Sequence, residues 1–514
     1  MVPIENAAMP DRTVLQWDKN DLEAMGLLKV DILALGMLTA IRKSLEFIGL
    51  RKGYVFGLQD VPAEDPATYD MICKADTVGV FQIESRAQMS MLPRLKPRCF
   101  YDLVVQVAIV RPGPIQGGMV HPYLERRQGK APISVPNEAL NEALGRTLGV
   151  PIFQEQVMQL SILAAGFTPG EADQLRRAMA AWQRRGGLEQ YHAKIIDGMT
   201  ARGYTREFAE SIFEQIKGFS EYGFPESHAA SFALIVYASC WIKCHHPAEF
   251  LAAMLNSQPL GFYSPSQLVQ DAKRHGVEVR PVDVMHSEFD CTLEEIEQQP
   301  AVRLGLRVID GLRQAGARAI AAERRVAPFE SAEELALRVG LDQHEMKLLA
   351  AADALHSLSG HRRQQVWDAA ALKRAPELLR ATPIEEEILE LPPAPEGEEI
   401  VWDYASTGLT LRRHPLALLR EQLKRRRLLT AGDLHDLPNG RRVRYCGIVT
   451  LRQQPDTANG TVFVSLEDET GVVQVIVWKS LRDRLRAPLR SARLMAVAGT
   501  WQREGGSPRF QCNK

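Results

Sequence analysis

The pattern of apolar and polar positions changes character along the chain. Near the N-terminus, GLLKVDIL has the apolar pattern of a buried strand, and the following MLTAIRKSLEFI has helical spacing. We predict a strand, a carboxylate, a turn and a helix there. Helical patterns broken by Pro and Gly continue through residues 61–290, and short helices joined by tight turns are predicted over residues 300–375. From Arg441 onward the pattern alternates as in β-strands.

The alternating runs at the C-terminal end predict a small five-stranded barrel of the oligonucleotide-binding (OB) type. Such barrels bind single strands by stacking bases on aromatic rings beside basic side chains, so Arg444, Arg452 and Lys479 are predicted DNA contacts. Phe463 and Trp478 are candidate stacking rings, although packing inside the barrel is the more frequent position of such side chains. The tail GGSPRFQCNK has an irregular pattern, which leaves open whether the chain completes the barrel.

The stretch GLRVIDGLRQAGARAIAAERR fits a helix-hairpin-helix element with its hairpin at residues 309–312. Such a hairpin presents backbone N–H groups at a helix N-terminus to a phosphate, so it grips a duplex without recognising sequence. Gly311 and Arg313 are the predicted DNA contacts. A helical hairpin without DNA binding explains this stretch equally well. A second, weaker candidate hairpin lies between Gly340 and Leu358.

A single carboxylate, Asp31, interrupts the apolar strand near the N-terminus. A buried carboxylate usually pairs with a cation or binds a metal. Phosphoryl-transfer sites often hold two Mg²⁺ ions on several Asp side chains, which one Asp cannot do alone. The 514 residues contain no Asp-x-Asp pair. Asp283 and Asp290 fall in a predicted loop and strand that do not form a second metal clamp.

Local basic residues supply candidate phosphate ligands. Arg111 precedes a rigid Pro-Gly-Pro turn with bare backbone, where phosphates can approach closely. Arg176 and Arg177 lie on a predicted helix, and we expect that they cannot both face one way. A nucleoside triphosphate needs such donors, and a solvated basic helix is the open alternative. His228 starts a long apolar helix, where it either donates to a phosphate or, as the residue alone favours, caps the helix.

Composition narrows these possibilities. A chain of 514 residues predicts several domains. Its formal charge of −1 gives no whole-chain signal for a polyanion, so a nucleic-acid surface must be a local basic patch. Seven scattered Cys indicate reduced thiols in a cytosolic protein. The Cys and His between residues 240 and 246 suggest zinc, but the apolar helix around them favours thiols that pack as small hydrophobes. No secretory leader or membrane span is predicted.

Six long motifs occur in one order along the chain: GLLKVDILALGMLTAI, GVFQIESRAQM, VAIVRPGPIQGGMVHPYLERRQG, PIFQEQVMQLSILAAGF, ADQLRRAM and FSEYGFPESHAASFALIVYASCWIKCHHPAEF. Together they closely resemble the alpha subunit of bacterial replicative DNA polymerase, a C-family polymerase. The resemblance covers nearly the whole chain. It implies an α+β multidomain fold with the end of a polymerase palm, mostly helical fingers, a helix-hairpin-helix domain and a C-terminal OB-type β-barrel.

The resemblance and the composition together predict the domain boundaries. These are the C-terminal part of the palm at 1–60, the fingers at 61–295, the helix-hairpin-helix domain at 296–383, an acidic linker and connecting segment at 384–440, and the OB-fold at 441–514. The linker is predicted because the run PIEEEILELPPAPEGEE contains seven Glu and four Pro and lacks basic residues.

The resemblance also implies roles for individual residues. Asp31 corresponds to the third catalytic Asp and is a ligand of Mg²⁺, of which the complete active site holds two. Arg111, Arg176, Arg177 and His228 fall on the side that meets the incoming nucleotide. Primer-template DNA and deoxynucleoside triphosphates are the implied partners.

Three departures from the replicative pattern favour the error-prone branch of the family. Replicative members usually have Asn-Lys where this chain has Pro225-Glu226, and they carry a clamp-binding motif where this chain has the acidic run. The segment NSQPLGFYSP, residues 256–265, also resembles the error-prone form. That branch is associated with translesion synthesis after DNA damage, which implies accessory proteins and, through them, the sliding clamp.

The family begins with a histidinol-phosphatase-like domain and a palm with a Pro-Asp-x-Asp-x-Asp strand, and this sequence contains neither. The expectation is therefore an N-terminally truncated or split polymerase whose isolated chain performs no nucleotidyl transfer. The alternative is that the chain is a fragment of such a polymerase that binds DNA but catalyses no reaction.

Overall fold

The computed structural model describes residues 2–7, 13–17, 19–27, 35–110, 119–133, 138–185, 189–218, 225–295, 299–372, 389–454, 460–504 and 507–512. Asp31, most of its predicted strand and Arg111 lie outside these residues. The helix predicted after Asp31 is present as Leu35–Lys52. The overall architecture is mostly helical and ends in a β-barrel, which confirms the predicted α+β multidomain class.

Helices dominate the first half of the chain. They are α1 (Lys19–Ala24), α2 (Leu35–Lys52), α3 (Pro66–Cys73), α4 (Arg86–Leu95), α5 (Phe100–Ile109), α6 (Val120–Arg127), α7 (Glu138–Leu144), α8 (Gln154–Leu163), α9 (Pro169–Arg185), α10 (Glu189–Thr200), α11 (Arg206–Gly218), α12 (Glu226–His245), α13 (Pro247–Leu255) and α14 (Pro265–Arg274). Ahead of them, β1 (Ile4–Asn6) pairs antiparallel with β2 (Thr13–Leu15).

Helix α12 forms the centre of the helical core. It is apolar on all sides, and such a helix is stable in water only when other elements cover it. Helices α2, α3, α5 and α13 pack around it, and most of its residues from Ala229 to Lys243 are buried. Among the residues that the structure describes, none of the helices is long and apolar enough to cross a bilayer.

A small sheet and two helical hairpins follow the core. Strand β5 (Ala301–Arg303) lies between β3 (Val279–Arg280) and β4 (Thr292–Glu294). The helices after the sheet are α15 (Gln314–Val326), α16 (Ala332–Val339), α17 (Gln343–Ala351), α18 (His356–Ser359) and α19 (Arg362–Ala371). Gly311 precedes α15 with φ 78°, and Gly340 joins α16 to α17 with φ 74°, values that glycine adopts without strain. The predicted turns are therefore present: the first lies between a short 3-10 helix (Leu306–Val308) and α15, and the second joins α16 to α17.

The segment predicted as an acidic linker carries packed helices. These are α20 (Glu396–Ser406), α21 (Pro415–Arg425) and α22 (Ala431–His435). Buried Arg362 explains the difference, because its Nη1 lies 2.8 Å from the Glu399 carbonyl and 3.1 Å from the Glu399 carboxylate, and its Nη2 donates to Asp403. Arg412 adds a second cation on the same carboxylates. The acidic side chains of α20 are thus ion-pair partners, which composition alone does not reveal.

The C-terminal barrel is closed. Its strands are β6 (Arg442–Gln453), β7 (Val462–Asp468), β8 (Gly471–Val477), β9 (Leu494–Glu504) and β10 (Ser507–Cys512), in the order β10-β8-β7-β6-β9. Helices α23 (Lys479–Arg484) and α24 (Arg486–Ser491) connect β8 to β9. The tail that seemed irregular in sequence pairs antiparallel with β9 and parallel with β8, so it supplies the closing strand.

Charged contacts attach the barrel to the helical part. Arg274 of α14 donates to Glu467 on β7 at 3.2 Å, and Arg420 of α21 forms a two-point contact with Glu469 beside β7. All seven cysteines lie in the described part of the chain, and no disulfide joins any of them.

The Arg362 cluster gives the first prediction. Arg362→Ala leaves the carboxylates of Glu399, Asp403 and Asp353 with Arg412 as their remaining cation in this cluster, so we expect a loss of about 3–5 kcal/mol in unfolding free energy. Arg363→Ala is the matched control, because Arg363 and Glu398 are 39% and 44% exposed, and such a solvent-accessible pair is worth less than about 1 kcal/mol. Urea unfolding followed by far-UV circular dichroism measures both. Equal effects of the two variants would show that the buried cluster does not hold α20.

Candidate nucleotide and nucleic-acid interface

Arg176 and Arg177 form a pair organised by Asp173, one turn earlier on α9. Arg176 donates to Asp173 Oδ1 through Nε at 3.0 Å and Nη2 at 2.8 Å, and Arg177 Nε lies 2.8 Å from Oδ2. The two cations, led by the hydrogen bond from Arg176, lower the pKa of Asp173. The expectation that the arginines cannot face one way is wrong, because positions i+3 and i+4 both reach the side chain at i.

The N-terminus of α12 is held by neighbouring helices. Glu155 of α8 accepts the backbone N–H of Glu226 at 3.0 Å, and the Tyr101 hydroxyl donates to the Glu226 side chain at 2.8 Å. A carboxylate thus binds the first backbone N–H of this helix. The His228 ring packs on Phe232, with 4.2 Å between centroids, and its role as a cap or a phosphate donor stays a prediction. Helix α8 therefore lies beside both α9, which carries the arginine pair, and the start of α12, which carries His228.

The segment NSQPLGFYSP is anchored by a buried carboxylate. Glu84 accepts the backbone N–H groups of Phe262 and Gly79, and the Tyr263 hydroxyl donates to the Glu84 carbonyl at 3.0 Å. Burial raises the pKa of Glu84 to about 7, and these N–H groups and Lys243 only partly offset that effect. The anchored segment leaves the Phe262 ring exposed.

A groove of about 520 Å³ separates this segment from the outer face of the barrel. Aromatic and hydrogen-bonding side chains line it from both sides, among them Phe262, Tyr404, His414, Thr450 and Glu467. Burial lowers the pKa of His414, so the imidazole is largely neutral at pH 7. Such a lining suits a nucleobase better than a phosphate, because it offers rings and neutral donors.

One cluster in the described residues has the spacing of metal ligands. Asp76, Asp271 and His275 bring their ligand atoms within 4.8 Å of one another. However, the buried Lys243 ammonium lies 2.8 Å from Asp271 and 3.2 Å from Asp76, so a protein cation already neutralises the carboxylates. Burial opposes this effect, but His275 and Lys243 lower the pKa of Asp76 to about 2. The cluster therefore does not fit Mg²⁺.

The two carboxylates considered for a second clamp have structural partners. Asp283 is buried and accepts the Ser357 hydroxyl at 2.7 Å and the backbone N–H of Met285 at 2.7 Å. Asp290 pairs with Arg307 at 2.6 Å. This agrees with their exclusion as metal ligands.

The predicted duplex contact Arg313 joins the two hairpins. Its Nε and Nη2 donate to the buried Glu345 at 2.9 and 2.6 Å, a two-point geometry that favours Arg. The side chain stays largely exposed, so its remaining donors face solvent. Gly311 approaches the second hairpin closely, since a Cβ there would lie 3.5 Å from Leu348. DNA contact by Gly311 and Arg313 stays a prediction.

The predicted barrel contacts lie in two places. Arg444 is exposed near the start of β6 and donates to the Arg426 carbonyl at 3.2 Å. Arg452, at the other end of β6, donates to the carbonyls of Leu489 and Ala492 around the end of α24. Lys479 is exposed at the first position of α23, near that end of the barrel. The structure thus separates Arg444 from the other two.

Phe463 and Trp478 are not part of the barrel core. Val462, Val464 and Leu466 of β7 face the core, so the alternation along the strand turns Phe463 outward. Trp478 is 47% exposed at the residue before α23. The interpretation that they pack inside is wrong, because the aliphatic residues of β7 and β8 and Trp501 fill the barrel. Both rings are placed where a base could stack.

Comparisons with known proteins agree with this architecture. Family models match residues 1–34 (bacterial DNA polymerase III alpha NTPase domain), 37–203 (bacterial DNA polymerase III alpha subunit finger domain), 276–365 (helix-hairpin-helix motif) and 443–514 (OB-fold nucleic acid binding domain).

Curated relatives match almost the whole chain. It is 58% identical over 526 residues to a protein of Methylococcus capsulatus and 59% identical over 509 residues to one of Bordetella bronchiseptica, both named error-prone DNA polymerase. These alignments cover 98% of this chain and 50% and 48% of the relatives. The chain therefore spans about half the length of the curated relatives it matches.

The anchor at Glu84 predicts a pH dependence of stability. A free carboxyl of this type titrates near 4.5, and the folded-state pKa is about 7, so the folded protein holds this proton more tightly. The contribution of Glu84 to the free energy of unfolding is fully present below pH 4.5. This contribution, on the order of 3 kcal/mol, is lost as the pH rises through 7. Glu84→Gln should flatten the curve of melting temperature against pH between 5 and 8, whereas exposed Glu46→Gln should not. Parallel curves for Glu84→Gln and the parent protein would contradict the assignment.

Proposed function

The chain belongs to the bacterial DNA polymerases of the polymerase III alpha type, and from this premise we propose that it forms the fingers, duplex-binding and single-strand-binding half of an error-prone DNA polymerase. The observation that carries the proposal is the order of fingers, helical hairpins and closed OB barrel in one chain, together with about 58% identity to such polymerases over 98% of its length. The proposed reaction adds deoxynucleotides to a primer 3′-hydroxyl.

The arginine pair is the proposed contact for the triphosphate. Asp173 uses both carboxylate oxygens to hold Arg176 and Arg177, so the two guanidinium groups are oriented before a ligand arrives. Arg177 is 75% exposed and keeps N–H donors available on its solvent side. Oriented charge-assisted donors bind phosphate strongly because little side-chain order is lost on binding. Arg111 and His228 remain proposed members of the same surface.

Asp31 is the proposed catalytic carboxylate of this chain. A carboxylate oxygen is a ligand that Mg²⁺ prefers, so Asp31 would hold one edge of the metal site. The two Mg²⁺ ions of a complete site would activate the primer hydroxyl and stabilise the leaving oxygens. Asp31 would share this role with carboxylates that the 514 residues do not supply, since they contain no Asp-x-Asp pair.

The hairpins and the barrel are the proposed DNA-holding parts. The N-terminus of α15, which has no side-chain cap, would face duplex phosphates, and the outer barrel face with Phe463 and Trp478 suits an unpaired template strand. Because the relatives are named error-prone DNA polymerase, the proposed process is translesion synthesis. Its proposed partners are accessory proteins and the sliding clamp. The alternative, DNA binding without chemistry, is favoured only if the chain stays inactive when the missing carboxylates are supplied.

Complementation separates the two functions. We expect the 514-residue polypeptide alone to give no primer extension with Mg²⁺ and four deoxynucleotides, because one carboxylate cannot hold two ions. Fusion to the N-terminal half of the Bordetella relative should restore extension. Asp31→Asn in that fusion should abolish extension without changing the melting temperature or DNA affinity. Extension by the pure polypeptide, or by the Asp31→Asn fusion, would refute the assignment.

The arginine pair gives a separate prediction. In the same fusion, Arg177→Ala should raise the nucleotide KM about tenfold or more, because a charge-assisted phosphate contact is lost, and leave DNA affinity nearly unchanged. Arg206→Ala is the matched control, since Arg206 is equally exposed and also pairs with an acid four residues away. Steady-state extension at varied nucleotide concentration and a DNA-binding titration measure the two effects. A loss of DNA affinity with unchanged KM would instead assign Arg177 to the DNA-gripping surface.

A further inference from the structure

A strongly basic pocket lies beside the helices that connect β8 to β9. Its volume is about 530 Å³. Among the described residues, its lining contains four arginines from three elements, two glutamines and one carboxylate, Asp483. The arginines are Arg452 of β6, Arg482 of α23, and Arg486 and Arg490 of α24. Four cations around one carboxylate leave a surplus of positive charge in a confined volume, which attracts an anion.

Two of the arginines are fixed by the backbone. Arg452 donates through Nε to the Leu489 carbonyl at 2.7 Å and through Nη2 to the Ala492 carbonyl. Arg482 donates through Nη1 to the Gly460 carbonyl at 3.0 Å and through Nε to Asp483 at 2.8 Å. These contacts orient the guanidinium groups, so the wall of the pocket is already formed before a ligand binds.

The other two arginines have donors to spare. Arg486 and Arg490 are exposed, and no acceptor for either side chain lies among the residues that the structure describes. Arg486 and Arg490 lie four residues apart on α24, so their positive charges are on the same side of that helix and repel each other. An anion bound between them would offset this repulsion.

We infer that this pocket binds phosphate groups of the unpaired nucleic-acid strand, an inference that rests on the proposed function. Exposed Trp478 directly precedes α23, so a base stacked on its ring would bring the adjoining phosphates towards Arg482. The pocket lies next to the helices that connect β8 to β9. A nucleic-acid strand bound there would therefore continue beyond the outer face of the β-sheet. Guanidinium groups bind phosphate oxygens in a two-point geometry without base preference, so the site grips the strand without selecting its sequence.

The test uses the complete 514-residue chain and a fluorescent oligo(dT) strand, with anisotropy titrations at several salt concentrations. Arg486→Ala/Arg490→Ala should weaken binding roughly tenfold at low salt and reduce the slope of log affinity against log salt by about 1.4, as expected for two lost phosphate contacts on a single strand. Arg425→Ala/Arg441→Ala is the matched control, because it removes two exposed arginines outside the pocket. Equal losses in both double variants would overturn the inference.

A competition arm distinguishes a strand from a free polyphosphate. Inorganic tripolyphosphate should displace oligo(dT) from the parent chain and compete less well in the pocket variant. If the pocket variant binds oligo(dT) normally but loses tripolyphosphate binding, the strand assignment is overturned and the pocket is a polyphosphate site. If the parent chain does not bind oligo(dT), the proposed function fails. If the parent chain binds oligo(dT) and the pocket variant binds it equally well, only the inference about the pocket is refuted. Equal melting temperatures exclude misfolding as the cause.

Discussion

The burial of one charged residue in an apolar helix constrains the helical half of this protein. Helix α12 is buried without interruption from Val236 to Lys243, and Lys243 itself is 3% exposed. Its ammonium group is stable there only because the Val78 carbonyl, Asp271 and Asp76 surround it within 3.2 Å. These partners come from the loop after α3 and from α14, so the same contact fixes where both elements lie. Removal of both carboxylates would leave the ammonium as an unpaired buried charge.

The same principle joins the successive parts of the chain. Arg313 with Glu345 holds the two hairpins together, Arg362 with Glu399 and Asp403 fixes α20 against them, and Arg420 with Glu469 attaches α21 to the barrel. Each contact pairs a guanidinium with a carboxylate from a distant stretch of the chain. Arg suits this role because its planar group makes two parallel hydrogen bonds and therefore fixes orientation as well as distance. These contacts fix the positions of the hairpins, α20, α21 and the barrel relative to one another, and the exposed arginines and aromatic rings lie on these elements.

The candidate surfaces divide by chemistry. The arginine pair on α9 and the arginines beside α23 and α24 offer oriented cations for phosphate, whereas the groove between Phe262 and the barrel offers rings and neutral donors. A polymer with alternating phosphates and bases needs both kinds of surface. The anchoring of the Phe262 segment on buried Glu84 further links this groove to the core, so its position does not depend on the barrel alone.

The sequence by itself determined the element types, the two glycine-centred hairpins and the β character of the C-terminal region, because these follow from local periodicity and from conformations that glycine allows. Long motifs in one order also determined the family. Only the tertiary structure decided that the end of the acidic run begins a packed helix, Glu396–Ser406, that the tail closes the barrel, that Phe463 and Trp478 face outward, and that Arg176 and Arg177 share Asp173. It also revealed the arginine pocket, although the spacing of Arg482, Arg486 and Arg490 was visible in the sequence. The physical reason is that a charged or aromatic side chain takes its role from its partners, and those partners lie far away in sequence.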